Sequence, residues 1–381
     1  MKVIFLTHHL KGTDGWSRYA NDLAQDLQKQ GADVLCLVHE YTENSPLKQE
    51  RPLGAPLGYI ANPFASFSTA KSVRGMIEKF SPDIVHVIVE PYATVLPFLG
   101  NISLNSLGKK SPKWVITVHS TYAFLPILVS GWRRLVSTIL TRKLYAKIDS
   151  VIAVSEFTKQ HLLRHMTAIG EQSLVANKID VLAGGVHMEH ATPNIPAKNN
   201  SPKEILFVGA LKPRKGLLEA INALAFVKTN VVYRIVGTYK EQDPYIQLLK
   251  QKITEHHLEG KIIFEGQVSN EKLQALYANA DLFLMLSTNN GADFEGYGLV
   301  YIEANAHGVP CIGPKDSGVS DAIRDGKTGF LVDQYNSQTV AQKVDAVLVG
   351  NLIKPEDCIA WARENSTDKK AAVMLGLYKK L

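Results

Sequence analysis

Apolar positions along this chain come in short runs separated by longer amphipathic stretches. In the first half the runs cover residues 3–7, 33–38, 84–89, 114–119 and 150–154, and most are rich in Val and Ile. Runs of this kind read as buried strands of a parallel sheet. Between the first two, residues 17–30 are of helical type and end at Gly31, which stands at the place of a helix cap. Strand, helix and strand in that order predict a parallel sheet with covering helices.

The rhythm lapses over residues 188–203, where apolar side chains are few and prolines and asparagines gather. It restarts with runs at 204–209, 232–237, 262–268, 281–287 and 309–313, and with a helix from about Leu217. A boundary of this composition separates two α/β domains. The expected division is residues 1–190 and residues 204–365, each a Rossmann-like, doubly wound parallel sheet.

Within the second half, residues 281–332 carry the densest chemistry. An apolar strand leads to the polar loop 288–293, and residues 298–307 then read as a helix, with Gly308 placed as a left-handed cap and Pro310 as a stop. The first turn of such a helix presents unpaired N–H groups and the positive end of its dipole. Gly296 and Gly298 allow close backbone approach, and Glu295 and Glu303 can accept hydrogen bonds from hydroxyls. A ligand with both hydroxyls and phosphate suits that pattern. The same two glutamates also arise at an ordinary helix start, one favoured by the dipole and one on a solvated face.

Three further places invite chemistry. Gly12 and Gly15 lie in the loop after the first strand, at the ligand edge of an open sheet, where a plain turn gives the same residues. His119 ends its strand at the same kind of edge; a hydrogen-bonded loop start is the alternative. After Gly209, Lys212, Arg214 and Lys215 sit on a loop feeding a helix N-terminus, which makes either a diphosphate clamp or an exposed basic turn.

At 381 residues the chain suits two domains of about 180 residues. Apolar content of 45% and charged content of 20% are those of a soluble globular protein. No run of 18 apolar residues occurs, and the opening residues read as a strand rather than a leader, so a cytoplasmic location is expected. Cys36, Cys311 and Cys358 form no C-x-x-C pair, which argues against a disulfide framework or a structural zinc. D-x-D, P-loop and H-E-x-x-H motifs are absent, and no metal is called for.

The net charge of +6 is unevenly spread, since no acid falls between Glu90 and Asp149. Residues 132–147 pair apolar positions at helical spacing with Arg133, Arg134, Arg142, Lys143 and Lys147, after the apolar stretch 122–129. Peripheral docking on an anionic membrane, such as the inner face of the plasma membrane, would use such a helix, as would a phosphate-bearing acceptor. The third reading is a covering helix with its apolar stripe on the core and its basic side in water.

The run F-E-G-Y-G-L-V-Y-I-E at 294–303 resembles the E-x7-E signature of glycosyltransferase family 4, retaining enzymes of the GT-B fold. The resemblance continues through 316–321 and 325–333, through K-G at Lys215 and Gly216, and more loosely through V-I-T-V-H ending at His119 and V-S-E-F-T at 154–158. It departs at Ala210, where the family has arginine, and at Gly184 and His187, where it has asparagine and aspartate.

As this resemblance implies, the two domains face each other across a cleft, and the last helix, near residues 368–381, crosses back to the first. A hexose or N-acetylhexosamine passes from a nucleoside diphosphate sugar to a hydroxyl of a glycan, lipid-linked or small-molecule acceptor, without a cofactor and without nucleic acid as partner. Glu303 would hold the ribose and Lys215 the diphosphate, with Lys212 or Arg214 standing in for the missing arginine. Glu295 and the amides of Gly296, Tyr297, Gly298 and Leu299 would hold the donor sugar, which His119 approaches. Gly12 and Gly15 would face the donor phosphates and acceptor, while Gln267 and Val268 lie along the base. A nonhydrolysing nucleotide-sugar epimerase and a catalytically inactive nucleotide-sugar-binding protein share the architecture and are the alternatives.

Overall fold

A computed structural model describes residues 1–12, 14–61, 63–100, 102, 111–119, 130–190, 201–291, 293–350 and 352–381. The chain divides into two compact units, Met1–Gly185 with Thr367–Leu381, and Val186–Ser366.

In the first unit, β1 (Lys2–Leu6), β2 (Asp33–Leu37), β3 (Lys48–Glu50), β4 (Ile84–Val87), β5 (Lys113–Val118), β6 (Ser150–Ala153) and β7 (Ile179–Val181) form a parallel sheet in the order β3-β2-β1-β4-β5-β6-β7. Val3 to Leu6 are fully buried, as expected for a central strand covered on both faces. The helices are α1 (Gly15–Lys29), α2 (Pro56–Ala61), α3 (Pro63–Phe80), α4 (Trp132–Lys147) and α5 (Glu156–Ala168). Right-handed crossovers put α1 on one face and α2 to α5 on the other. A 3-10 segment, Glu90–Phe98, packs between α3 and α4.

Helix α1 begins two residues before its sequence-based start because Asp14 caps it. The Asp14 Oδ1 accepts from the amides of Trp16 at 3.0 Å and Ser17 at 3.1 Å.

The second unit holds β8 (Lys203–Val208), α6 (Leu217–Leu224), β9 (Val231–Val236), α7 (Pro244–Glu255), β10 (Ile262–Gly266), α8 (Asn270–Asn279), β11 (Leu282–Leu284), α9 (Leu299–Ala306), β12 (Cys311–Pro314), β13 (Gly329–Val332), α10 (Ser337–Gly350) and α11 (Pro355–Glu364). Its parallel sheet runs β10-β9-β8-β11-β12-β13. Both sheets are doubly wound, with strand order reversing at β1/β4 and at β8/β11. The last helix, α12 (Thr367–Lys379), belongs to the first unit and lies along α1. Its Tyr378 hydroxyl sits 2.5 Å from His86 Nδ1, inside the first sheet's core.

One of the three readings of α4, the covering helix, is overturned. The apolar stripe of α4 does not face the core: Trp132, Leu135, Val136 and Ile139 are exposed, while Tyr145 is the buried anchor. Position on the helix explains this, because the side that packs against the 3-10 segment is the other one. The basic residues do not form a separate solvated side: Arg134, Arg142 and Lys143 share the surface with the apolar groups. The Arg133 side chain, the stretch 122–129, Lys109 and Lys110 lie outside the described residues. Among the described residues no helix is long and apolar enough to cross a membrane.

Candidate functional site

Two loops meet at the strand-order reversal of the second sheet. The chain leaving β8 runs from Gly209 to Lys215, and the chain leaving β11 runs from Met285 to Glu295. Since β8 and β11 are neighbours and parallel, their C-terminal ends release both loops side by side, which is where open α/β sheets bind ligands. The Thr288 amide donates to the Arg214 carbonyl at 2.9 Å and ties the two together.

Side chains follow the backbone. Lys215 Nζ stands 2.5 Å and Arg214 Nη1 3.0 Å from the same Glu295 Oε2. Arg214 Nε also reaches Asp293 Oδ1 at 3.0 Å, and Ser287 Oγ donates to Glu295 Oε2 at 3.5 Å. Burial alone would raise the Glu295 carboxyl, but Lys215 and Arg214 outweigh it and hold the group below the usual range, ionised at neutral pH.

Gly216 is what permits this meeting. Its φ is +70°, and a Cβ there would lie 1.7 Å from the Leu286 carbonyl oxygen, so only glycine lets Lys215 sit against the end of β11. Gly216 then starts α6, whose positive dipole end lies at the same place, while the Leu218 amide is taken by the Tyr245 hydroxyl at 3.3 Å.

Gly298 does the same for α9, with φ +84° and the Tyr301 ring 2.7 Å from any Cβ. Gly296 and Leu299 flank it, half-buried. The Tyr297 side chain points inward, its hydroxyl 3.4 Å from Asn365 Oδ1, so only its backbone is offered to a ligand. Glu303, farther along α9, accepts from the Tyr277 hydroxyl at 2.9 Å. Lys212 is exposed beside the cluster. Gln267 and Val268 follow β10, the edge strand, and the first of them is exposed.

In the first unit His119 follows β5. Its amide donates to Glu90 Oε1 at 2.6 Å, and its Nε2–H donates to the Ile88 carbonyl at 3.1 Å. Burial lowers its pKa despite the nearby Glu90, so the ring is neutral and Nδ1 keeps its lone pair. The Tyr19 ring sits edge-on to it at 5.1 Å. Gly12, with φ +69°, and Gly15, at the start of α1, have open space where a Cβ would stand. In the same loop His8 Nε2 and His9 Nε2 lie 3.1 Å and 3.4 Å from Asp14 Oδ2. The Lys11 amide donates to His9 Nδ1, which leaves the proton on His9 Nε2 and makes Asp14 its acceptor rather than a fellow metal ligand.

Sequence reasoning missed Ser287, Asp293, Tyr277 and Glu90. No motif marks them; Ser287 and Asp293 share the loop of Glu295, while Tyr277 and Glu90 reach their partners from other elements.

Family profiles described as Glycosyltransferase Family 4 and as Glycosyl transferases group 1 match residues 13–189 and 189–365. The chain is a glycosyltransferase family 4-like protein. This family 4-like chain is 29% identical, over 233 residues, to a GDP-mannose-dependent alpha-(1-6)-phosphatidylinositol monomannoside mannosyltransferase of Mycobacterium tuberculosis, covering 58% of each chain. It is 32% identical over 171 residues to a putative colanic acid biosynthesis glycosyltransferase, WcaL, of Salmonella typhimurium, covering 44% of this chain and 41% of that one. It thus spans about half the length of the curated relatives it matches.

Among solved structures, a glycosyltransferase from Rickettsia africae superposes with TM-score 0.76 at 21% identity, over 100% of this chain and 98% of that one. Anabaena HepE, in complex with UDP and glucose, superposes with TM-score 0.74 at 20% identity, over 100% of both. The fold they share is GT-B.

Proposed function

We propose that the protein is a retaining glycosyltransferase that moves a hexose or N-acetylhexosamine from a nucleoside diphosphate sugar to a hydroxyl of a glycan or lipid-linked acceptor. The observation that carries this reading is the meeting of Lys215, Arg214 and Glu295 beside the starts of α6 and α9. A diphosphate leaving group needs positive charge and oriented amides, and that place has both. Arg214 supplies the charge that Ala210 does not, and on this reading the reaction uses no metal or other cofactor. Relatives named for GDP-mannose and a neighbour solved with UDP support a nucleotide-sugar donor.

The donor's C1–phosphate bond breaks while the acceptor oxygen bonds C1 on the same face, and the departing phosphate oxygen takes the acceptor's proton. Lys215 and Arg214 neutralise the charge that develops on the diphosphate. Glu295 and the amides from Gly296 to Leu299 hold the sugar hydroxyls, Glu303 the ribose, and Gln267 and Val268 the base. Neutral His119 offers Nδ1 to the donor sugar, with Gly12 and Gly15 toward phosphates and acceptor. Peripheral association with an anionic membrane through Arg134, Arg142 and Lys143 belongs to the same reading, since a phosphatidylinositol mannoside is the acceptor named for one relative.

The test is a thermal-shift panel of nucleoside diphosphate sugars, followed by product analysis with the donor that raises the melting temperature. Transfer, or slow donor hydrolysis, with the α-configuration kept supports the reading. A changed epimer, or binding without turnover, overturns it.

A further inference from the structure

Two helices of the first unit turn large apolar side chains to solvent at the same end of the sheet. Trp132 and Leu135 of α4 are 73% and 65% exposed, with Val136 and Ile139 beside them. Phe64 and Phe67 of α3 are 80% and 66% exposed, and the Phe67 ring lies edge-on to Phe98 at 6.1 Å. Both helices pack on the segment Glu90–Phe98, and its end is tied to each of them. Arg74 of α3 donates to the Leu99 carbonyl at 3.4 Å and Lys147 of α4 to the Gly100 carbonyl at 2.8 Å.

Chain direction fixes which end the apolar groups occupy. α3 feeds β4 and α4 feeds β6, so each helix runs antiparallel to the strands and its first turns lie at the sheet's C-terminal edge. His119 follows β5 at that edge.

Large exposed apolar groups in one neighbourhood mark an interaction surface. The surrounding charge says what kind. Lys71, Arg134 and Lys143 are exposed, no acid falls between Glu90 and Asp149, and Glu78, the one acid of α3, is held by Arg74 at 2.8 Å. Beside α4, Glu171 is held by Arg142 at 2.6 Å. Apolar side chains including Trp, ringed by cations and with these acids paired to arginines, fit the headgroup region of a bilayer with anionic lipid.

We propose that the first turns of α3 and α4 form one membrane-docking face, in which Phe64, Phe67, Trp132, Leu135, Val136 and Ile139 enter the bilayer interface. Lys71, Arg134 and Lys143 meet anionic headgroups around them. The inference deepens the peripheral association proposed above: insertion by two helices, rather than charge alone, holds the protein. It also brings the hydroxyl of a lipid-linked acceptor to the edge of the sheet that carries His119.

The experiment is flotation of the full chain with vesicles of phosphatidylcholine containing phosphatidylglycerol. Wild type floats, and a fraction stays bound at about 0.5 M salt, where charge is screened beyond a few ångströms. The pairs Leu135→Glu with Ile139→Glu, and Phe64→Glu with Phe67→Glu, each lower binding by about tenfold or more. Both pairs are at exposed positions, and unchanged melting temperatures confirm folding. Vesicle binding that both pairs retain, or that salt abolishes entirely, overturns the proposal. So does a wild-type dimer that binds no vesicle and that either pair dissociates, for then a second copy covers the face. Nucleotide-sugar binding without vesicles is read in parallel and stays at the wild-type level in both pairs. Its absence in wild type sinks the enzymatic reading while leaving the docking result intact.

Discussion

Lys215 Nζ lies 2.5 Å from Glu295 Oε2, although 80 residues separate the two in sequence. With Arg214 on the same oxygen, Glu295 is the counterion of the two cations proposed to receive a diphosphate. The carboxylate and an incoming diphosphate therefore compete for the same positive charge. Donor binding has to loosen this pairing, which frees Glu295 for the sugar hydroxyls.

Glu295→Gln separates these roles. The amide keeps the shape and removes the competing charge, so a nucleoside diphosphate should bind the variant more tightly than wild type, by several-fold. Turnover should fall by roughly two to three orders of magnitude, the cost of losing a group that acts on the reacting sugar. Calorimetric titration and initial rates measure the two effects. Weaker nucleotide binding at unchanged turnover would remove Glu295 from the site.

Glu295→Ala has a second consequence, for stability. It leaves the largely buried Lys215 without its acid while Arg214 keeps Asp293, at a cost of about 3 kcal/mol. Adding Lys215→Ala should restore part of that loss, because the two positions are coupled. Urea melts of the single and double variants check it. Strict additivity would show that the pair does not interact in solution.

Two glycines on the proposed binding loops should respond oppositely to the same change. Gly216→Ala puts a Cβ into the Leu286 carbonyl at positive φ and should cost about 3 kcal/mol or more. Gly15→Ala opens a helix where nothing lies within 4 Å, and should stabilise by about 0.5 kcal/mol. If Gly15 faces the donor phosphates, the second variant will still lose kcat/KM. Full activity at raised stability would make Gly15 an ordinary first helical residue.

The same contrast shows what the sequence could and could not reveal. Strands β1, β2, β4, β5, β6, β8 and β9 were legible because a buried parallel strand is a short continuous apolar run, and these runs alternate with helical stretches in βαβ order. The two ends of α9 were legible from Gly298 and Gly308, each at a positive φ that favours glycine. The partners of Glu295 were not. Lys215, Arg214 and Ser287 reach it only because β8 and β11 are neighbours in the sheet, and strand order is a property of the whole fold. The face of α4 stayed open in the sequence for a related reason. Helical spacing shows that Trp132, Leu135, Val136 and Ile139 share a side, but only the packing of its neighbours shows which side is covered.

A buried histidine supplies the last prediction. His86 is fully enclosed, with Nδ1 2.5 Å from the Tyr378 hydroxyl and Nε2 2.8 Å from Thr117 Oγ1. Burial, with a smaller contribution from the neighbouring His119, drives its pKa down to about 3 from the ordinary 6.5. Between these values the unfolded chain binds a proton that the folded chain refuses, so stability rises with pH there and is lost as pH falls. The slope approaches about 1.4 kcal/mol per pH unit well below the ordinary value. Melting temperature should therefore drop from pH 7 to pH 5. In His86→Gln, whose amide does not titrate, that drop should shrink by one histidine's share, because His165, lowered by burial to about 4, acts in the same direction, even though the variant is less stable at pH 7. Because the bond to Tyr378 anchors α12 to the first sheet, amide exchange in α12 should follow the same pH course in wild type. A melting temperature as steep in the variant as in wild type would place the acid sensitivity in another group.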